Sequence, residues 1–230
     1  MLSNSKPVEG TVIIAHTQQQ GKGQFGNKWA TVGGQNLTFS VILYPKFIPA
    51  NRQFLLSQAV ALGIRDGLEP YLPQPTYIKW PNDIISSDKK ICGVLIENSL
   101  HGNKLADSIV GIGINVNQAD FEGLPNAASL HTLTARVFDL DKVLHRVLSC
   151  IEGYYLLLLA SRDALGLRPC DLALLVGLRR AAMGIAPFPQ VLGNGDAAQA
   201  GEVLGAVVDG ERDLDRAVLA GFRAGELLLE

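Results

Sequence analysis

Asn82, Asp83, Lys89 and Lys90 lie within one short stretch, KWPNDIISSDKK (79–90), and are the side chains best placed to do chemistry together. A carboxylate beside an ammonium suits a metal–nucleotide or an acyl phosphate. The acid can serve Mg²⁺, and the ammonium opposes phosphate or developing negative charge. Taken alone, the stretch reads as well as a strand-to-turn junction, with Asp83 capping the turn and the lysines solvated. The elements around it say how such groups would be held. TYIKW (76–80) predicts a short buried strand stopped by Pro81, SSDKK (86–90) a polar turn, and ICGVLIE (91–97) a second strand.

A second polar stretch lies upstream. HTQQQGKGQFGNKW (16–29) carries glycines at 21, 23 and 26 around Lys22. It lacks the Gly-Lys-Ser/Thr of a P-loop. It fits G-x-G-x-x-G formally, yet a strand rather than a helix follows, which excludes a dinucleotide fingerprint. What remains is a loop whose backbone N–H groups and Lys22 can wrap a phosphate-bearing ligand, or an ordinary surface hairpin loop. Trp29 closes it, as a stacking surface or as a core residue. Further on, GIGIN (111–115) places alternating glycines in a strand, where a ligand or a helix can approach bare backbone. The four histidines, 16, 101, 131 and 145, have no ligand spacing, and no nucleophile–base set suggests covalent catalysis.

These stretches need a sheet to hold them. TVIIA (11–15), LTFSVILY (37–44) and DSIVGIGINVN (107–117) predict strands, HGNK (101–104) a turn, and residues 51–68 and 139–158 amphipathic helices, the latter starting at Asp139 or Asp141. Strands and helices interleave irregularly, giving a mixed sheet of α+β type. The 230 residues suit one substantial domain and a small one, and 47% apolar content with a net charge of −2 argues against disorder or a general nucleic-acid binder. YYLLLLA (154–160), the longest apolar run, is too short to span a bilayer. No signal peptide is evident, and three dispersed cysteines fit a reduced, cytoplasmic protein. All nine lysines lie at or before Lys142, whereas nine of eleven arginines lie at or after Arg136. A domain boundary near 165–185 or a mosaic origin would each account for that shift.

In order, G-x-G-x-x-G-x-x-W, KWPND, KxxGxLIE and GIGINVN resemble the catalytic domain of biotin–protein ligases, over roughly residues 10–155. The resemblance implies a class II aminoacyl-tRNA-synthetase-like mixed sheet with helices over residues 1–178. It implies a small SH3-like β domain over 179–230, where the match is poor apart from FRAGELLLE (222–230), which resembles the family's final strand. It implies ATP-dependent biotinylation of a lysine on a biotin carboxyl carrier protein through biotinyl-5′-AMP, with ATP, Mg²⁺ and biotin as participants. No DNA or membrane partner follows from it, and a homodimer is compatible with it.

Residue by residue, the resemblance puts Gln18, Gly21 and Gly93 at biotin, with Lys22 on the adenylate as well. Lys90, chosen over Lys89 by motif register, holds the biotin carboxylate and the bridging phosphate oxygens. Trp29 and Asn82 flank adenine, Gly23, Gln24 and Lys79 complete the nucleotide side, and Asp83 and Asn115 serve Mg²⁺ or the phosphates. Two departures bear on this. The Ser-Thr-Asn stretch that lines the family's biotin site some 20 residues before TVIIA has no counterpart in LSNSKP, which leaves one pocket wall open. Gln24 stands where many members have a second arginine, so weaker retention of the adenylate is expected. Two other functions fit the same scaffold: a non-catalytic remnant that binds biotin or the carrier, and a lipoate or octanoate ligase.

Overall fold

The computed structural model describes residues 6–18, 21–23, 26, 28–160 and 228–229. Nearly all belong to one compact unit, Met1–Tyr155 with Ala224–Glu230; of the second, Leu156–Arg223, residues 156–160 are described. The expected boundary at 178/179 and most of the expected small β domain lie outside the described residues.

A seven-stranded sheet runs in the order β5-β6-β7-β8-β4-β1-β9. Its strands are β1 (Val12–Ile14), β4 (Leu37–Leu43), β5 (Thr76–Lys79), β6 (Asp83–Ser86), β7 (Lys89–His101), β8 (Lys104–Ile114) and β9 (Leu228–Leu229). Neighbours are antiparallel except β1 and β9, so the sheet is mixed, as the sequence implies. Two short strands, β2 (Gly21–Lys22) and β3 (Lys28–Trp29), pair as a hairpin within the 16–29 loop. The β6–β7 turn uses Ser87 and Asp88, both at positive φ (51° and 59°), the pair of left-handed residues that a two-residue hairpin of matching twist requires.

Alternation divides the sheet into two faces. On one, Leu37, Ile114, Cys92 and Ile84 form a row across four strands, and Phe39, Ile112 and Val94 form the next. All seven are buried. They belong to a core that includes the apolar faces of α1 (Phe54–Leu68) and α3 (Leu140–Ala160). Leu56, Ala59, Val60, Ile64 and Leu68 recur at helical spacing on α1, as do Val143, Leu144, Val147 and Ile151 on α3. Gly63 and Gly67 let the helices cross closely: a Cβ on Gly63 would lie 2.6 Å from the Ile151 Cα, and one on Gly67 2.8 Å from that of Val147. The start of α3 follows from the sequence, because Asp139 Oδ1 accepts hydrogen bonds from the backbone N–H groups of Asp141 (3.0 Å) and Lys142 (3.2 Å). A short helix, α2 (Leu130–Thr134), precedes it with a Ser129–Thr132 capping box.

One expectation is corrected. TYIKW is not a buried strand. Thr76 is buried, but Tyr77, Ile78, Lys79 and Trp80 are exposed, because β5 is the last strand of the sheet and has a neighbour on one side only. Aromatic and β-branched residues report strand geometry, not depth.

Candidate active site

The second face of the sheet is stripped of bulk. Thr38, Gly113, Gly93 and Asp83 form one row across β4, β8, β7 and β6, and Ser40, Gly111 and Leu95 form the next. Three glycines at adjoining positions leave bare backbone where side chains would stand. A cleft of about 450 Å³ opens over this floor. Asn82, Asp83 and Lys90 line one end, and Leu95, Ile109 and Glu97 line it further along β7 and β8.

Lys90 reaches this face through a bulge. Opposite Ile84 stands Cys92, but opposite Ile85 stands Lys90, so β7 carries one extra residue there. The insertion reverses parity, and Lys90 joins Gly93 and Asp83 rather than Cys92 on the buried side. Its Nζ lies 2.6 Å from Asp83 Oδ1, with both side chains partly exposed. The backbone of Lys90 is pinned from behind: its N–H donates to Asn126 O (2.7 Å), and its carbonyl accepts from Ala128 N–H (2.9 Å). Lys89 is exposed and stands outside the cleft.

The glycine loop roofs the floor. The Trp29 indole lies over Gly113, where a Cβ would be 2.6 Å from Cζ2, and beside Gly93. The Lys90 ammonium is 5.6 Å from the ring centroid, in range of a cation–π attraction. The indole N–H is buried and meets no acceptor among the described residues. A bound ligand offering an acceptor there would satisfy it. Gly21 is required by the hairpin itself, since a Cβ would press on the Trp29 backbone and come within 2.8 Å of Gln18 Oε1. Downstream, Asn36 anchors the chain leaving the loop. Its amide donates to Gln118 Oε1 (2.5 Å) and Thr31 Oγ1 (3.0 Å), and its Oδ1 accepts from Val116 N–H (2.9 Å).

Of the residues singled out from sequence, Gln18, Lys22, Gly23, Trp29, Asn82, Asp83, Lys90 and Gly93 line the cleft. Gly21 and Lys79 border it without lining it, and Gln24 lies outside the described residues. Asn82 is committed to the scaffold, its amide donating to Val94 O at 2.6 Å. Asn115 stands apart from the cleft: it is buried, and its amide donates to Ala128 O at 3.0 Å, which braces the segment behind Lys90. The sequence reading missed Thr38, Ser40, Leu95 and Glu97. Alternation in β4 and β7 marks their faces, but only strand pairing brings them beside the glycines. Behind the floor, burial pushes the Cys92 thiol far up from its ordinary value; Lys90 pulls it down and Asp83 pushes it up by smaller amounts.

Residues 2–115 match the model of the biotin/lipoate A/B protein ligase family. The chain belongs to that family. Among the family's curated members, the bifunctional ligase/repressor BirA of Bacillus subtilis is 35% identical over 158 residues, covering 67% of this chain and 48% of BirA. The biotin–[acetyl-CoA-carboxylase] ligase of Mycobacterium tuberculosis is 31% identical over 149 residues, covering 64% of this chain and 54% of that ligase. The biotin protein ligase of Aquifex aeolicus, solved in complex with biotin and ATP, superposes with a TM-score of 0.57 at 35% identity, over 66% of this chain and 63% of that one. The chain thus spans about half the length of the curated relatives it matches.

Proposed function

We propose that this chain is the catalytic part of a biotin–protein ligase. The observation that carries the reading is the Lys90–Asp83 pair set at the end of a glycine floor under Trp29. The indole rests on Gly113 and Gly93, and a flat ligand can lie beside it on the remaining floor, against Gly111, with its carboxylate directed to the ammonium.

In the first step an oxygen of the biotin carboxylate attacks the α-phosphorus of ATP. The bond to the β-phosphate bridging oxygen breaks, and pyrophosphate leaves with that electron pair. Negative charge grows on the phosphate oxygens, and the Lys90 ammonium, already held in place by Asp83 and by its pinned backbone, opposes it without reorganisation. Lys22, exposed on β2 at the cleft, adds a second cation from the loop side. In the second step the amine of a lysine on a biotin carboxyl carrier protein attacks the acyl carbon. The carbon–oxygen bond to AMP breaks, the amine loses a proton, and an amide forms. Both steps need alignment and charge stabilisation rather than a protein nucleophile.

Magnesium fits the donor set in a limited way. Among the described residues no cluster of three or more His, Cys, Asp or Glu could cage a metal ion. The ion would be held chiefly by nucleotide phosphates, with Asp83 and Glu97 the carboxylates that line the cleft, the ligand balance magnesium favours. Bound there, it would neutralise phosphate charge. Trp29 and Lys22 are the residues of this site that would face the nucleotide.

Biotin-dependent exchange of labelled pyrophosphate into ATP, with octanoate as control, tests the reading. Exchange with biotin alone is expected. Its absence from folded protein would overturn the ligase assignment, and exchange with octanoate alone would move it to the lipoate branch.

A further inference from the structure

We infer that Gln118 is a positioning residue for the first step: through Ser129 it holds the Lys90 ammonium in register with the glycine floor. The inference rests on the ligase reading above, in which Lys90 opposes the charge that grows on the phosphate. Such a charge lowers the barrier only where it is aimed, so whatever fixes the backbone of Lys90 bears on the rate.

Lys90 needs outside support because it sits at the bulge, where the ladder between β6 and β7 is interrupted. The support is the segment 126–128, which lies in no helix or strand and meets Lys90 through an isolated parallel bridge to Ala127. The Lys90 N–H donates to Asn126 O at 2.7 Å, and Ala128 N–H donates to Lys90 O at 2.9 Å. Ser129 follows this segment directly. It is fully buried, caps α2, and donates its hydroxyl to Gln118 O at 2.7 Å.

Gln118 is buried in turn and acts as a hub. Its Oε1 accepts from the Asn36 amide at 2.5 Å and from Val32 N–H at 3.3 Å, and its Nε2 donates to Asp120 O at 2.7 Å. A backbone N–H can only donate and a carbonyl can only accept, so Val32 and Asp120 together fix which way the amide faces. Asn36 stands immediately before β4, whose Thr38 ends the row Thr38–Gly113–Gly93–Asp83. The sheet already joins Thr38 to Gly93, but its ladder is broken between Cys92 and Lys90. The chain Asn36–Gln118–Ser129 bridges that break from the other side. None of these three residues lines the cleft, so their route to a ligand runs through Lys90. A buried glutamine that only satisfied backbone groups would affect stability alone.

Two variants break the chain at different points. Gln118→Met keeps similar volume and removes the hydrogen bonds of the hub. Ser129→Gly removes the hydroxyl that reaches Gln118 O, and glycine is accepted at a helix N-cap, so this variant folds even where the first does not. Each is made in the full chain, alone and combined with Lys90→Ala, and biotin-dependent pyrophosphate exchange is measured per folded protein. Each single variant is expected to lower the maximal rate about ten-fold, with KM for biotin held within about two-fold. The loss is smaller than for Lys90 itself because the Asn115 amide still holds Ala128 O at 3.0 Å. In the Lys90→Ala background neither variant is expected to cost more than about two-fold.

A ten-fold loss that persists without Lys90 would overturn the inference, since Gln118 would then act elsewhere. Variants that melt lower yet exchange at the wild-type rate would overturn it too. Hydrogen exchange at the Lys90 amide reads the link without any substrate. Its protection is expected to fall by about ten-fold or more in both variants, and unchanged protection would refute the link. A folded wild type without pyrophosphate exchange would count against the ligase reading alone, and the Lys90 amide would still decide whether Gln118 positions it.

Discussion

At the scale of single residues, the site depends on two kinds of side chain, a positioned cation and absent Cβ atoms. Lys90 is held by Asp83 at 2.6 Å and faces the ligand floor. Removing a preorganised charge of this kind costs about 10²–10³ in rate. Lys90→Ala is therefore expected to lower biotin-dependent pyrophosphate exchange by that order while leaving the melting temperature near wild type, since Lys90 is partly exposed. At Gly113 an added methyl group would collide with the Trp29 ring, whose Nε1 would be 2.7 Å away. A ring bends nowhere, so it must move as a body. Gly113→Ala should shift tryptophan fluorescence in the ligand-free protein and weaken adenylation, and an unchanged emission spectrum would show that Trp29 does not rest there. Both residues could be singled out from the sequence, Lys90 by its place before Gly93 and Gly113 by alternation in an apolar strand. That they meet under one tryptophan could not, because the 83 residues between Trp29 and Gly113 carry no local signal of contact.

At the scale of elements, the α1–α3 crossing fixes the underside of the sheet. Gly63→Ala sets two effects against each other. Alanine improves helix propensity by about 1 kcal/mol, while its Cβ would sit 2.6 Å from the Ile151 Cα and 2.7 Å from its N. Backbone cannot yield as a side-chain tip does, and overpacking typically costs about 1–3 kcal/mol. The second effect wins, so the variant is expected to unfold at lower urea concentration; a higher midpoint would mean the helices stand further apart than described. The helices themselves were legible from periodicity, with bounds of 51–68 and 139–158 expected against Phe54–Leu68 and Leu140–Ala160 found. The depth of β5 was misread for a physical reason. Strand propensity arises from the pleated backbone, which is the same at a sheet's edge as at its centre, and only the missing neighbour exposes Tyr77 and Ile78.

At the scale of the whole molecule, Glu9 joins the segment before β1 to β4 and α3. Its Oε1 accepts from the Tyr44 N–H and from the Tyr155 hydroxyl, both at 2.7 Å. Burial, then the hydrogen bond to Glu9, raises the Tyr155 phenol well above its ordinary value, and burial raises Tyr44 and Tyr71 too. Folded protein keeps these protons when the unfolded chain releases them, near pH 10. Their contribution to stability is therefore complete below about pH 10 and is lost as pH rises beyond it. Chemical denaturation between pH 8 and 11 should show that decline, and Tyr155→Phe should make it shallower. An equally steep decline in the variant would remove Tyr155 from the account.

The sequence by itself determined the local grammar of this protein: where apolar residues alternate or recur by turns, where Pro81 stops a strand, where Asp139 starts a helix, and where glycines open the backbone. Those properties depend on neighbours within a few residues, so the order of motifs along residues 10–155 was enough to indicate the family. Tertiary structure alone decided which of these features share a site. A bulge of one residue in β7 turned Lys90 toward Asp83, and the crossing of β8 between β7 and β4 aligned Gly93 with Gly113. The brace behind Lys90 claimed Asn115 for the scaffold. Each is a matter of register between distant segments, and a shift of one residue moves a side chain to the other face of the sheet.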